Sequence, residues 1–292
     1  MAVHTYNPST IPSPPSPSPS PASAMSTADL PPDANQSYIA IWGPKSSGKT
    51  MFLFMLRDEM RMSNSEWEMN ICSEAANKFW EKLTELKFQH RFAEATTAQS
   101  PEEIVIEFKR QDHRHNTWEY RYVKVRDLPG EWYQDRFQVP PDPDGTNPVD
   151  EYLKKCKGLL CLVDPNAKPE DLSKYFDKLL MRLQMLCGQP TDKRLAICLT
   201  KMDERAHRQQ CHNPTGYVQQ ILGSAVMSEI YKTFRQDKIK CFPSSAIGLY
   251  PGASVERSNS GIDWRGNPII YEVRNIKPFG LFAPFCDWLF QD

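Results

Sequence analysis

A glycine-bounded octapeptide, Gly43-Pro-Lys-Ser-Ser-Gly-Lys-Thr50, lies between two strongly apolar stretches, and it limits the folds open to this chain more than any other feature. Upstream, Tyr38-Ile-Ala-Ile-Trp42 reads as a buried β-strand. Downstream, Thr50 to Met62 reads as a helix whose start, Met51-Phe-Leu-Phe-Met-Leu56, is apolar all round and therefore covered on most sides. A strand that passes through a glycine turn into a helix leaves backbone N–H groups pointing inward at the positive end of the helix dipole. Phosphate oxygens suit such a cradle. The pattern G-x-x-x-x-G-K-[ST] in this context places the Lys49 amine against β- and γ-phosphates and makes the Thr50 hydroxyl a Mg²⁺ ligand.

Beyond this loop the chain alternates short β-rich runs with helical patterns, the signature of a parallel sheet with helical crossovers. Ser73 is placed to cap a second helix that carries Ala76, Phe79, Trp80, Leu83 and Leu86 on one stripe. Ile104 to Arg110 and Thr117 to Val125 alternate on either side of a polar connection, which predicts a hairpin and hence an antiparallel strand. Gly158 to Val163 and Leu195 to Leu199 read as buried strands. Between them, a helix opens at Pro169 and bears Leu172, Tyr175, Phe176, Leu179, Leu180 and Leu183. A helix from about Thr215 to Phe234, a strand at Lys238 to Phe242 and an aromatic-rich helix near Phe282 to Phe290 complete the pattern. The expected fold class is α/β, a three-layer sandwich around a mostly parallel sheet of about six strands with one antiparallel hairpin strand.

Residues 1–36 are different in kind. They hold nine of the 25 prolines, seven serines and two charged side chains, Asp29 and Asp33, so they cannot bury enough apolar surface to fold and read as a disordered tail. Pro-x-x-Pro repeats there suit a polyproline groove and Ser-Pro pairs suit phosphorylation, while an inert spacer explains the same composition. Thirty-five Lys+Arg against 36 Asp+Glu give a formal charge of −1, which argues against nucleic acid or an acidic membrane as the partner. No apolar run approaches the roughly 20 residues that span a bilayer. Eight cysteines without a Cys-x-x-Cys pair fit a reducing, cytoplasmic compartment, with Cys161 and Cys198 behaving as small core hydrophobes.

Three further segments carry chemistry. In Val123-Lys-Val-Arg-Asp127-Leu-Pro-Gly130 an aspartate ends a hairpin strand, where a second acidic group is needed to hold the metal of a nucleoside triphosphate, and Gly130 offers an N–H to the γ-phosphate. Leu199-Thr-Lys-Met-Asp203 ends a buried strand with a carboxylate able to accept from both the ring N–H and the exocyclic amine of guanine, a donor pair that adenine lacks. Lys201 would lay its stem along the base, and Ser244-Ser-Ala-Ile247 would offer backbone N–H to the guanine carbonyl. His207, Cys211 and His212 form a local group that either binds metal or lies on a polar surface. Trp118, Trp132 and Trp264 are expected to pack, since no basic stripe accompanies them.

Taken in order, GPKSSGKT, DLPG, TKMD and SSAI resemble the motifs of the P-loop GTPases of Ras-like type, and DLPGE followed by a strand ending Val163-Asp-Pro165 is most similar to bacterial double-GTPase proteins. The resemblance covers residues 43–247. It implies a GTP-binding domain over 37–292 with an insertion near 63–90. It also implies phosphate contacts from Gly43, Lys45, Ser46, Ser47, Gly48, Lys49 and Thr50, with Gly130 at the γ-phosphate. Guanine selection would fall to Thr200, Lys201 and Asp203, supported by Ser245 and Ala246. The implied Mg²⁺ ligands are Thr50, Asp127 and a switch threonine, Thr96 or Thr97.

Catalysis by such a protein would rest on Lys49, Thr96 and the residue after Gly130. That residue is Glu131, where Ras-like enzymes place a glutamine, and it either positions water weakly or leaves a partner to supply the missing group. The implied activity is slow hydrolysis of GTP to GDP by a switch that a protein effector or activator reads. Two alternatives remain open: a P-loop ATPase or kinase, and a nucleotide-binding scaffold without turnover.

Overall fold

A computed structural model describes residues 36–63, 65–93, 103–112, 116–126, 147–188, 191–251 and 257–291. Its centre is a seven-stranded sheet in the order β2-β3-β4-β1-β5-β6-β7. The strands are β1 Gln36–Trp42, β2 Trp67–Ile71, β3 Glu103–Asp112, β4 Thr117–Arg126, β5 Cys156–Val163, β6 Arg194–Leu199 and β7 Ile239–Pro243. From β4 through β7 every neighbour is parallel, and β3 alone runs against the rest. The extra strand relative to the expected six is β2, a five-residue edge strand inside the segment read as an insertion.

Period-2 alternation in the central strands decides which layer each side chain joins. Ile39 and Ile41 of β1, Leu160 and Leu162 of β5, and Ala196 and Cys198 of β6 face one core, beneath helices α1 (Lys49–Met62) and α2 (Glu74–Phe88). Ala40 and Trp42, Leu159 and Cys161, and Ile197 and Leu199 face the other, beneath α3 (Pro148–Lys155), α4 (Pro169–Cys187) and α5 (Pro214–Thr233). Both faces are covered, so these strands are continuously apolar. All eight cysteines are free thiols, and Cys161 and Cys198 are fully buried among aliphatic side chains.

Helix boundaries follow local chemistry. Ser73 caps α2 by accepting from the Ala76 N–H, and the same hydroxyl accepts from the Val105 N–H, tying the helix start to β3. Asn147 caps α3 by accepting from the N–H groups of Val149 and Asp150. Gly188, with φ 77°, terminates α4. Within α5 the backbone leaves helical geometry at Gly223, φ 77°, so the expected single helix is two segments joined at a kink.

The C-terminal residues differ from the expected aromatic-rich helix near Phe282 to Phe290: they form a short π-helical turn, Phe285–Leu289, and the aromatic rings in and beside it roof the outer sheet. Phe108 of β3 meets Phe282, Phe285 and Phe290 at centroid distances of 5.6, 5.7 and 5.2 Å, and Phe290 also meets Trp67 of β2 at 5.6 Å. Glu59 of α1 fixes the approach to this turn by accepting from the N–H groups of Leu281 and Phe282, both at 2.8 Å. Burial holds the Glu59 carboxyl above the usual range even though those N–H groups pull it down.

Two short strands, β8 (Ser260–Ile262) and β9 (Pro268–Ile270), form a separate antiparallel hairpin. In its turn, Asp263 accepts from the N–H groups of Arg265 and Asn267, leaving Trp264 at the tip and 85% exposed. Trp118, near the turn end of the β3–β4 hairpin, is 47% exposed beneath Lys109. Neither tryptophan packs as expected, because each stands at the end of a hairpin, beyond the helices that cover the sheet; Trp132 lies outside the described residues.

Phe108→Ala removes the ring on which three aromatic side chains converge. Chemical denaturation is expected to show a loss of about 3–5 kcal/mol.

Candidate nucleotide site

Because β1, β5, β6 and β7 run in the same direction, the loops that follow them emerge at one edge of the sheet, where ligands of open α/β sheets bind. There a cavity of about 470 Å³ is lined by Lys45, Ser46, Gly48, Lys49 and Thr50 at one end and by Thr200, Lys201, Asp203, Ser244 and Ala246 at the other. Phe92 and Ala93, just after α2, and Ser260, Gly261, Ile262 and Pro268 of the β8–β9 hairpin close its remaining sides.

At the first end the loop backbone turns through left-handed conformations at Ser46, φ 65°, and at Gly48, φ 89°, which is the N-cap of α1. Ser47 donates its N–H to the Pro44 carbonyl, closing the turn. Its hydroxyl is fully buried with no hydrogen-bond partner among the described residues, facing Gly43 rather than the cavity. Lys49 is 7% exposed, and its amine donates to the carbonyls of Gly43 at 2.8 Å and Pro44 at 3.1 Å, curled along the loop it would serve. Gly43 has no room for a side chain: a Cβ would stand 2.4 Å from Ser47 Oγ and 3.1 Å from the Leu162 carbonyl.

At the second end the ends of β5, β6 and β7 are laced together. The Thr200 N–H donates to the Val163 carbonyl at 2.8 Å, and Ser244 donates both its N–H and its hydroxyl to Leu199. Lys201, with φ 56°, ion-pairs with Asp164 at 2.5 Å, so its stem is held across the cavity wall. Asp203 is 1% exposed. Its Oδ1 accepts from Ser245 Oγ at 2.5 Å, and Oδ2 accepts from Ser258 Oγ. Ser245 Oγ in turn accepts from the N–H groups of Ile247 and Gly248, at 3.3 and 2.8 Å; the Ala246 N–H lies outside this set.

The structure therefore brings Lys45, Ser46, Gly48, Lys49, Thr50, Thr200, Lys201, Asp203 and Ala246 to one cavity, with Gly43, Ser47 and Ser245 directly behind its walls. Thr96, Thr97, Asp127, Gly130 and Glu131 lie outside the described residues. Sequence reasoning missed the β8–β9 wall and Ser258; the only signal for the hairpin was the polar turn Asp263 to Asn267.

The His207, Cys211 and His212 group does not form a metal centre. His207 is buried, with Nδ1 2.7 Å from the Tyr217 hydroxyl and Nε2 2.9 Å from Asn166 Oδ1, so both ring nitrogens already have partners. Burial pushes the Tyr217 hydroxyl and the Cys211 thiol up, keeping each protonated. Among the described residues no cluster of three His, Cys, Asp or Glu side chains is arranged to hold a metal, and no helix is long and apolar enough to cross a membrane.

A parallel sheet whose first strand runs through a glycine loop into a helix, with a buried aspartate at the end of a later strand, defines a P-loop GTPase fold. The chain belongs to the Double-GTPase 2 family, whose model matches residues 37–245, more than half of its length, and on that membership it is a GTP-binding protein. No curated protein matches it in sequence. Similar solved structures include the bacterial selenocysteine-specific elongation factor EF-Sec, at 15% identity and a TM-score of 0.37, covering 72% of this chain and 26% of that one. The Arl6 BBS3 small GTPase from Trypanosoma brucei matches at 12% identity and a TM-score of 0.36, covering 72% and 87%. The S. cerevisiae Ski7 GTPase-like domain, bound to GDP and inorganic phosphate, matches at 14% identity and a TM-score of 0.40, covering 73% and 43%. The chain thus spans about a quarter of the elongation factor's length.

Gly43→Ala forces Ser47 against its own loop. Nucleotide affinity, followed by fluorescent GDP titration, is expected to fall by about tenfold or more while the circular dichroism spectrum is retained.

Proposed function

We propose that this protein hydrolyses GTP to GDP with Mg²⁺ and works as a nucleotide-dependent switch in a multi-protein system. One observation carries most of the weight: a buried carboxylate and a phosphate-type loop, far apart in sequence, open on the same cavity. Asp203 takes the donor edge of guanine, and Lys201, pinned by Asp164, lies along the ring. Ala246 N–H meets the guanine carbonyl. Lys45, Ser46, Gly48 and Lys49 surround the phosphates, with Gly43 and Ser47 shaping the loop behind them. In this reading residues 37–292 are the nucleotide domain and 63–90 an addition at the sheet edge.

The fit to Mg²⁺ rests on a hard oxygen donor, the Thr50 hydroxyl, lining the cavity beside Lys49. Thr50, Asp127 and either Thr96 or Thr97 would hold the ion, which neutralises phosphate charge when bound. Lys49 supplies a fixed positive charge at the β- and γ-phosphates, and the Gly130 N–H contacts the γ-phosphate. Closure of the segments holding Thr96 and Gly130 on that phosphate makes the state readable by a protein effector. Glu131 places a negative charge where a neutral water-orienting side chain serves Ras-like enzymes, so unaided turnover is slow, and a partner accelerates it. The protein acts in the cytoplasm, with neither nucleic acid nor a bilayer as its partner.

Single-turnover phosphate release from GTP in the presence of Mg²⁺ is expected for the wild-type chain and absent from Lys49→Ala; no release from either protein leaves a binding scaffold. Asp203→Asn is expected to weaken GDP by about a hundredfold or more and to raise xanthosine diphosphate binding, read by competition titration. Equal affinity for ADP and GDP in the wild type would mean an adenine-nucleotide enzyme.

A further inference from the structure

The base end of the cavity is finished by residues beyond the stretch matched by the family model. Ser258 and Ser260 flank Asn259, which is fully buried and fastened on both sides. Asn259 Nδ2 donates to the Glu272 carbonyl at 2.7 Å, and its Oδ1 accepts from the Glu272 N–H at 2.9 Å. Its backbone N–H donates to Gly248 O at 3.1 Å, and its carbonyl accepts from the Tyr271 N–H at 3.1 Å. With Asn259 fixed in this way, Ser258 is held against Asp203 and Ser260 against Ser258.

Proton accounting fixes the direction of the hydrogen bonds. A carboxylate only accepts, so Ser258 spends its single hydroxyl proton on Asp203 Oδ2. Ser258 Oγ also accepts from the Ser260 N–H at 3.2 Å and lies 2.8 Å from Ser260 Oγ. Since the Ser258 proton is committed, the Ser260 hydroxyl is the donor in that pair. Ser260, unlike Ser258, lines the cavity, and with its own proton spent it offers only lone pairs there. Ser258 does not line the cavity, whereas the Asp203 it bonds does.

We propose that Ser260 is a further specificity-determining residue, accepting from the exocyclic amine of guanine, and that Ser258 is the positioning residue that orients both Asp203 and Ser260. The inference rests on the reading of Asp203 as the guanine-selecting group. Asp203 and Ser260, both bonded to Ser258 Oγ, each present only acceptors to the cavity they line. Guanine presents three hydrogens on the matching side: one on the ring nitrogen and two on the amine. Hypoxanthine keeps the ring N–H and the carbonyl but lacks the amine, so it isolates the contribution of Ser260.

The test is equilibrium binding of GDP, inosine diphosphate and ADP to the full chain with Mg²⁺. In the wild type GDP is expected to bind tightest and ADP weakest. Ser260→Ala is expected to weaken GDP about tenfold while leaving inosine diphosphate unchanged, so the ratio between the two shrinks and the inosine value certifies a folded site. Ser258→Ala is expected to weaken both, because the Asp203 carboxylate loses its outer support. An unchanged GDP to inosine diphosphate ratio in Ser260→Ala, or an equal loss for both ligands, overturns the proposal while leaving guanine selection by Asp203 intact. Failure of the wild type to distinguish GDP from ADP overturns both. A second measurement needs no variant: N2-methyl-GDP, which replaces one amine hydrogen, is expected to bind the wild type at least about tenfold more weakly than GDP, and equal binding refutes the role of Ser260.

Discussion

The parallel register of β1, β5, β6 and β7 is the constraint from which the site follows. Parallel pairing sends every connection to the same pair of edges, so the loops after β1, β6 and β7 meet although they are widely separated in the chain. The register is held at the rim by side chains as well as by the sheet ladder: Thr200 is bonded to Val163 and Ser244 to Leu199, each spanning neighbouring strand ends. Lys201 and Asp164 add an ion pair across the same rim. The cavity is thus an extension of the core, with walls as fixed as the strands that carry them.

That fixity explains how a carboxylate is tolerated at 1% exposure. Burying a charge is costly unless its oxygens are satisfied, and both oxygens of Asp203 accept a hydroxyl, one from just after β7 and one from just before β8. The group is held ready in one orientation before any ligand arrives, which favours binding by lowering the ordering cost.

Much of this was legible in the sequence. The continuous apolar runs of β5 and β6, the Ser73 cap and the apolar stripe of α4 all emerged where periodicity and capping placed them, since those elements are decided by local chemistry and burial. The loop between Trp42 and Lys49 and the aspartate at 203 were likewise legible from residue type and spacing. What escaped was decided by distant partners. β8 and β9 have three residues each, too few for any periodic signal, and are held by the arch around Asn259. The octapeptide α3 begins within a stretch rich in proline and aspartate, and the kink at Gly223 interrupts a segment that otherwise reads as one helix. Ser258 carries no pattern at all; only its position after the fold has closed gives it a role.

The aromatic roof formed by Phe282, Phe285 and Phe290 lies past the last residue recognised by the family model, yet it covers the sheet at β2 and β3. Motif boundaries and folding boundaries therefore do not coincide in this molecule. A fragment ending at residue 245 would lose the rings that pack on Phe108 and Trp67, and with them the cover over that flank of the sheet.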